Sequence, residues 1–127
     1  MIIIEKYELV KFIAGEFELE VNVSPNEETI WMTLDEIAIL FERDRSVIGK
    51  HISKIYLENE LNEKRTRAKH ARHLEDGRVY NVDINNLDVI IAVGYRVNSK
   101  RRTLFRIWGN QILKGNLLKS YVVNKTL

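Results

Sequence analysis

Apolar and polar positions along the chain fall into segments of two different periods. Phe17, Leu19, Val21 and Val23 alternate with Glu16, Glu18, Glu20 and Asn22. That period of two turns one side of a strand inward and the other to water. Ser24-Pro25-Asn26-Glu27 is a turn signal. Thr29-Ile30-Trp31-Met32 reads as a short return strand, so an antiparallel N-terminal β-hairpin is expected.

From Thr33 the period becomes helical. Thr33 with Glu36 three residues on is a capping box, each side chain satisfying a free backbone N–H of the first turn. Leu34, Ile37, Ala38 and Phe41 share one face. Glu42-Arg43-Asp44 interrupts the pattern, and Val47, Ile48, Ile52 and Ile55 resume it in a second helix from Arg45, which ends between Leu57 and Leu61. Residues 62–73 hold no large apolar residue and read as a loop or polar helix. His73–Asp83 predicts a hairpin turned at Asp76-Gly77, both central residues being able to take positive φ. Asn85 or Asn86 caps a third helix with Leu87, Ile90, Ile91 and Gly94 inward. After a break at Tyr95–Ser99, a fourth starts near Lys100, burying Phe105, Trp108, Ile112 and Leu113, with Leu117, Leu118 and Tyr121 as a final turn.

Two short helices with a three-residue connection, followed by a hairpin, make an α+β winged helix-turn-helix. The expected chain is one domain, 1–127: helix-turn-helix 33–54, wing 73–83 and two C-terminal helices over 86–119. In such a motif the second helix lies in the major groove. Arg45, Ser46, Gly49 and Lys50 are the base-facing candidates, with Ser53 and Lys54 toward phosphate. Two features fit poorly: the turn has Glu42 and Arg43 where glycine and an apolar residue are usual, and Asp44 would repel phosphate.

Charge sharpens this picture. The net charge of +2 divides unevenly: residues 1–63 carry six Lys/Arg against fourteen Asp/Glu, a net of −8, and residues 64–127 carry fourteen against four, a net of +10. A basic surface for a polyanion is therefore local. Lys64, Arg65, Arg67 and Lys69, with Arg78 at the hairpin tip, are candidate phosphate contacts. Lys100, Arg101 and Arg102 form a second basic group, where Ser99 is placed to cap a helix whose free N–H groups suit an anion.

Other chemistries find little support. The chain has no cysteine, so disulfides and thiolate metal sites are excluded. His70 and His73 have no third ligand nearby in sequence, so no metal is expected. There is no Gly-rich phosphate loop, nucleophile elbow or paired-carboxylate pattern, hence no enzyme and no cofactor. No apolar run reaches the roughly 20 residues of a membrane span, and a cytoplasmic location without membrane contact is expected.

The chain resembles the RhuM virulence-protein family. The matching stretches are Thr29-Ile-Trp-Met-Thr-Leu-Asp-Glu-Ile-Ala with Phe41, Arg45-Ser-Val-Ile with Lys50-His51-Ile52, and Glu60-Leu61-Asn62-Glu63. The most specific block is Tyr80-Asn81, Asn86 through Lys100, and Phe105-Arg-Ile-Trp, followed by Ile112-Leu113-Lys114, Leu117, Lys119 and Tyr121. The resemblance implies a bacterial protein similar to the N-terminal DNA-binding parts of phage antirepressors and to domains fused to Fic/Doc proteins. The Fic motif itself is absent, so no nucleotidyl transfer is carried over. Family members are longer, and this chain looks like an N-terminal domain. It departs from the family at Arg102-Thr103-Leu104, where Gly-Thr-Gln is usual.

Double-stranded DNA is the expected partner, in a transcription-regulator-like or antirepressor-like role, with a homodimer and a protein partner as further expectations. The competing reading is a protein-protein interaction module that keeps the winged fold without sequence-specific DNA binding.

Overall fold

The computed structural model describes residues 8–115. It is α+β, with ten elements. Strands β1 (Glu8–Ala14), β2 (Phe17–Ser24) and β3 (Thr29–Trp31) form an antiparallel sheet in that order. The N-terminal region is thus a three-stranded meander rather than a hairpin alone. Val10, Phe12 and Ala14 of β1 pack inward, while Leu9 and Ile13 point out and are more than half exposed. Apolar residues on both faces of β1 erase the period-two signal. Gly15, at φ +63°, turns β1 into β2.

Helices α1 (Leu34–Phe41) and α2 (Arg45–Leu57) follow. The capping box is present: Glu36 N–H donates to Thr33 Oγ1 at 3.2 Å, and Thr33 N–H donates to Glu36 Oε1 at 2.8 Å. Ile37, Ala38, Leu40 and Phe41 of α1 and Ile48, Ile52 and Ile55 of α2 are buried. Val47 is exposed, a correction to its expected inward position. Glu42 takes the left-handed conformation, φ 55°, that ends α1, so the glycine position of the turn is filled by a glutamate.

A single helical turn, α3 (Glu63–Thr66), leads into β4 (Arg67–His73), which pairs with β5 (Val79–Asn85). The hairpin therefore starts six residues before the expected His73 and runs to Asn85. The strand Arg-Ala-Lys-His-Ala-Arg-His has no large apolar residue to announce it. At its tip Gly77 N–H donates to Leu74 O and Leu74 N–H to Arg78 O. Gly77 alone has positive φ, so the turn is not the two-residue type expected from Asp76-Gly77. Asn85 exchanges backbone hydrogen bonds with Met32 at 2.7 and 2.9 Å, tying the segment before α1 to the hairpin after α2.

Helices α4 (Leu87–Arg96) and α5 (Arg102–Leu113) close the described chain. The Asn86 side chain caps α4, accepting from Val89 N–H. The break falls at 97–101, with Asn98 left-handed, so Tyr95 and Arg96 are still helical. Arg102 stands in the first turn of α5 without positive φ, so the family's glycine is not required there. Leu117, Leu118 and Tyr121 lie outside the described residues. Phe12 meets Phe105 and Trp108 edge to face at the main core, and the three ring centroids lie 5.1–5.5 Å apart. Trp31, Ala68 and Ile84 form a separate small cluster at the hairpin root.

Candidate nucleic-acid interface

The outward face of α2 forms one wall of a cleft of about 590 Å³, lined by Leu34, Ser46, Gly49, Lys50, Ile52, Ser53, Lys54 and, from the hairpin root, Arg67. The α2 register makes this surface. Ile48, Ile52 and Ile55 face the core, which turns Ser46, Lys50, Ser53 and Lys54 away from it. Gly49 is where α2 meets α1: a Cβ there would come within 3.3 Å of Leu34 Cδ1.

Five of the six α2 candidates thus lie together. The sixth, Arg45, pairs with Asp35 at 2.7 Å on an exposed surface. Among the described residues, Ser46, Lys50, Ser53 and Lys54 form no ion pair or side-chain hydrogen bond. His51, on the same helix, holds a proton less readily than an ordinary histidine. Burial holds its imidazole below the ordinary value, and Arg96 and Lys54 act in the same direction. The cationic character of the face therefore comes from lysine.

The hairpin cations are arranged differently. Arg67 pairs with Glu63 at 3.2 Å, lies 5.1 Å from the Tyr56 ring centroid and donates to Asn85 Oδ1. Lys69 pairs with Asp83, its cross-strand partner. Glu63, Arg67, Lys69 and Asp83 line a neighbouring cleft of about 510 Å³ with Lys64 and Ala68, and Arg67 belongs to both clefts. Arg78 sits at the tip and pairs with Asp76 at 2.6 Å. Lys64, Arg65 and Arg72 are without such partners among the described residues. The counter-charges Glu63 and Asp83 were missed by a count of basic residues. The first was legible as an i,i+4 pair with Arg67, the second only once the hairpin register is known.

Lys100, Arg101 and Arg102 are not brought to this surface. Lys100 and Arg101 line a third cleft with Phe41, Glu42, Arg43, Asn98 and Ser99, which shares no residue with the α2 cleft. Arg102 pairs with Asn98 and lies over Tyr95. Ser99 Oγ accepts from Arg101 N–H, but α5 begins at Arg102 with no side-chain cap. The unpromising Glu42 and Arg43 of the turn prove to be the joint between α1 and this region, through Arg101 and Val97.

Among the described residues no group of three His, Asp or Glu is placed to hold a metal ion, and no helix is long and apolar enough to cross a membrane. The family model described as Virulence protein RhuM family matches residues 62–127, just over half of the chain. That span holds α3, the hairpin and the whole of α4 and α5, and it begins after α2. No curated protein and no solved structure matches the chain.

Proposed function

The chain belongs to the Virulence protein RhuM family, and on that premise we propose that it binds duplex DNA as a winged helix-turn-helix. The α2 face enters the major groove with Ser46, Gly49 and Lys50 toward base edges. Lys54, Lys64 and Arg65 engage phosphates, and the β4–β5 hairpin flanks the duplex as the wing. The carrying observation is the single cleft that joins the unpaired α2 lysines to Arg67 at the hairpin root. The Met32–Asn85 bridge supports the winged connectivity, because it joins the strand before the helix pair to the hairpin after it. The role is regulatory, in a transcription-regulator-like or antirepressor-like cytoplasmic protein, and not enzymatic.

Selection from randomised duplexes, followed by anisotropy titration of the winners, tests this. Lys50→Ala is expected to relax sequence preference, at a cost of about 1–3 kcal/mol of discrimination. Two-fold symmetric winners would indicate a dimer. Absence of duplex binding at low salt would end the proposal. The protein-interaction reading would then gain, since Tyr95 is 75% exposed and lines a cleft with Leu61, Ile91 and Ala92.

A further inference from the structure

The geometry assigns Arg101 a role other than phosphate contact: it is a positioning residue that fixes the start of α2 by capping the end of α1. The left-handed Glu42 stops α1 and leaves carbonyl groups at the helix end without helical N–H partners. Two guanidinium groups cover three of them in succession. Arg101 Nη1 donates to Leu40 O at 2.9 Å. Arg43 Nη1 donates to Phe41 O at 2.9 Å and to Glu42 O at 3.2 Å. Both cations stand at the negative end of the α1 dipole, where positive charge is favoured.

Arg101 is further committed. Its Nη2 pairs with Glu42 Oε1 at 2.5 Å, and its guanidinium lies 3.6 Å from the Phe17 ring centroid. Both terminal nitrogens are thus engaged, one face is stacked, and the side chain is 20% exposed. Arg43 makes a second stitch, donating to Val97 O at 2.8 Å. Beside them Phe41 sits so close to Gly94 that a Cβ there would approach Phe41 Cζ to 2.7 Å. Because α2 begins at Arg45, two residues after Arg43, anchoring Glu42 and Arg43 anchors the start of α2.

The consequence for binding rests on the DNA reading; the anchoring does not. Amide hydrogen exchange at Glu42 and Arg43, whose N–H groups bond to Ala38 and Ile39 carbonyls, reports on the turn directly. The experiment compares Arg101→Gln, Glu42→Gln and Lys64→Gln by exchange and by duplex affinity against salt. Arg101→Gln is expected to speed exchange at both amides and weaken duplex binding, each about ten-fold, with an unchanged salt slope. Glu42→Gln, which removes only the ion pair, is expected to speed exchange about three-fold. Lys64→Gln should leave exchange unchanged and flatten the slope by about 0.9. If Arg101→Gln flattens the slope likewise and leaves exchange unchanged, Arg101 is a phosphate ligand and the inference falls. If Arg101→Gln does not fold, unchanged exchange in Glu42→Gln overturns it. If the unaltered chain binds no duplex, only the DNA reading fails, and exchange still decides the role of Arg101.

Discussion

The helical body and the β4–β5 hairpin are built on opposite principles. Phe41, Ile48, Ile52, Ile90 and Phe105 share one continuous core drawn from both halves of the chain. The hairpin has only Trp31, Ala68 and Ile84 at its root, together with the Met32–Asn85 bridge, and residues 72–81 are all exposed. Few buried apolar contacts mean a lower local opening energy. The charges differ in the same sense. The body presents lysines on α2 without ion-pair partners, whereas the hairpin root pairs Arg67 and Lys69 with carboxylates. The surface that α2 and the hairpin share therefore has a stiff half whose lysines lack ion-pair partners and a softer half whose root is already neutralised.

The largest test of this contrast is Phe41→Ala. It empties a fully buried site against Gly94 and should cost about 3–5 kcal/mol in urea denaturation. Ile84→Ala should cost about 2 kcal/mol, at the lower end for such a truncation. It should speed amide exchange across residues 67–85 while leaving α1, α2 and α4 unchanged. Equal costs, or helices that open together with the hairpin, would show one cooperative unit and break the comparison.

Two smaller effects sharpen it. Asp83→Asn removes the carboxylate facing Lys69. The pair is partly exposed, so the stability cost should stay below about 1 kcal/mol. On the DNA reading, the released lysine should tighten duplex binding at low salt and steepen the salt slope by about 0.9. A loss of affinity would mean that Asp83 itself orders the interface. The smallest effect is on pH dependence in the body. The folded state holds His51 below its unfolded value near 6.5, so the unfolded chain takes up the proton first. Stability is present in full above that value and declines as pH falls through it. A thermal midpoint that drops between about pH 7 and 5.5 in the natural chain, and less so in His51→Gln, is the expected outcome.

How much was readable in advance depended on how strongly each segment announced itself. The α1 cap was explicit in Thr33 and Glu36, and Ile37, Phe41, Leu87, Ile90, Phe105 and Ile112 followed from their spacing, whereas the buried Val89 and Val93 of α4 did not. Strand β4 was silent, because Ala68 and Ala71 are its only apolar residues and its strand state depends on β5 and Trp31. Strand β1 was silent for the opposite reason, since Leu9 and Ile13 face out and hide the alternation. On the candidate surface, spacing alone placed Ser46, Gly49, Lys50, Ser53 and Lys54 on one face. Spacing could not separate Lys64 and Arg65, which keep their charge free, from Arg67 and Lys69, which do not.

Local chemistry in the sequence by itself determined the starts of α1, α2 and α4, most of the helical inward positions and the outward side of α2. Caps and periodicities act within a turn or two of chain, so their causes and consequences are adjacent. Only the tertiary structure decided which arginines are surface and which are struts. Arg43 reaches Val97 and Arg101 reaches Leu40 across 54 and 61 residues. A guanidinium carries its charge wherever it lies, and its role is set by the acceptors that folding brings to it.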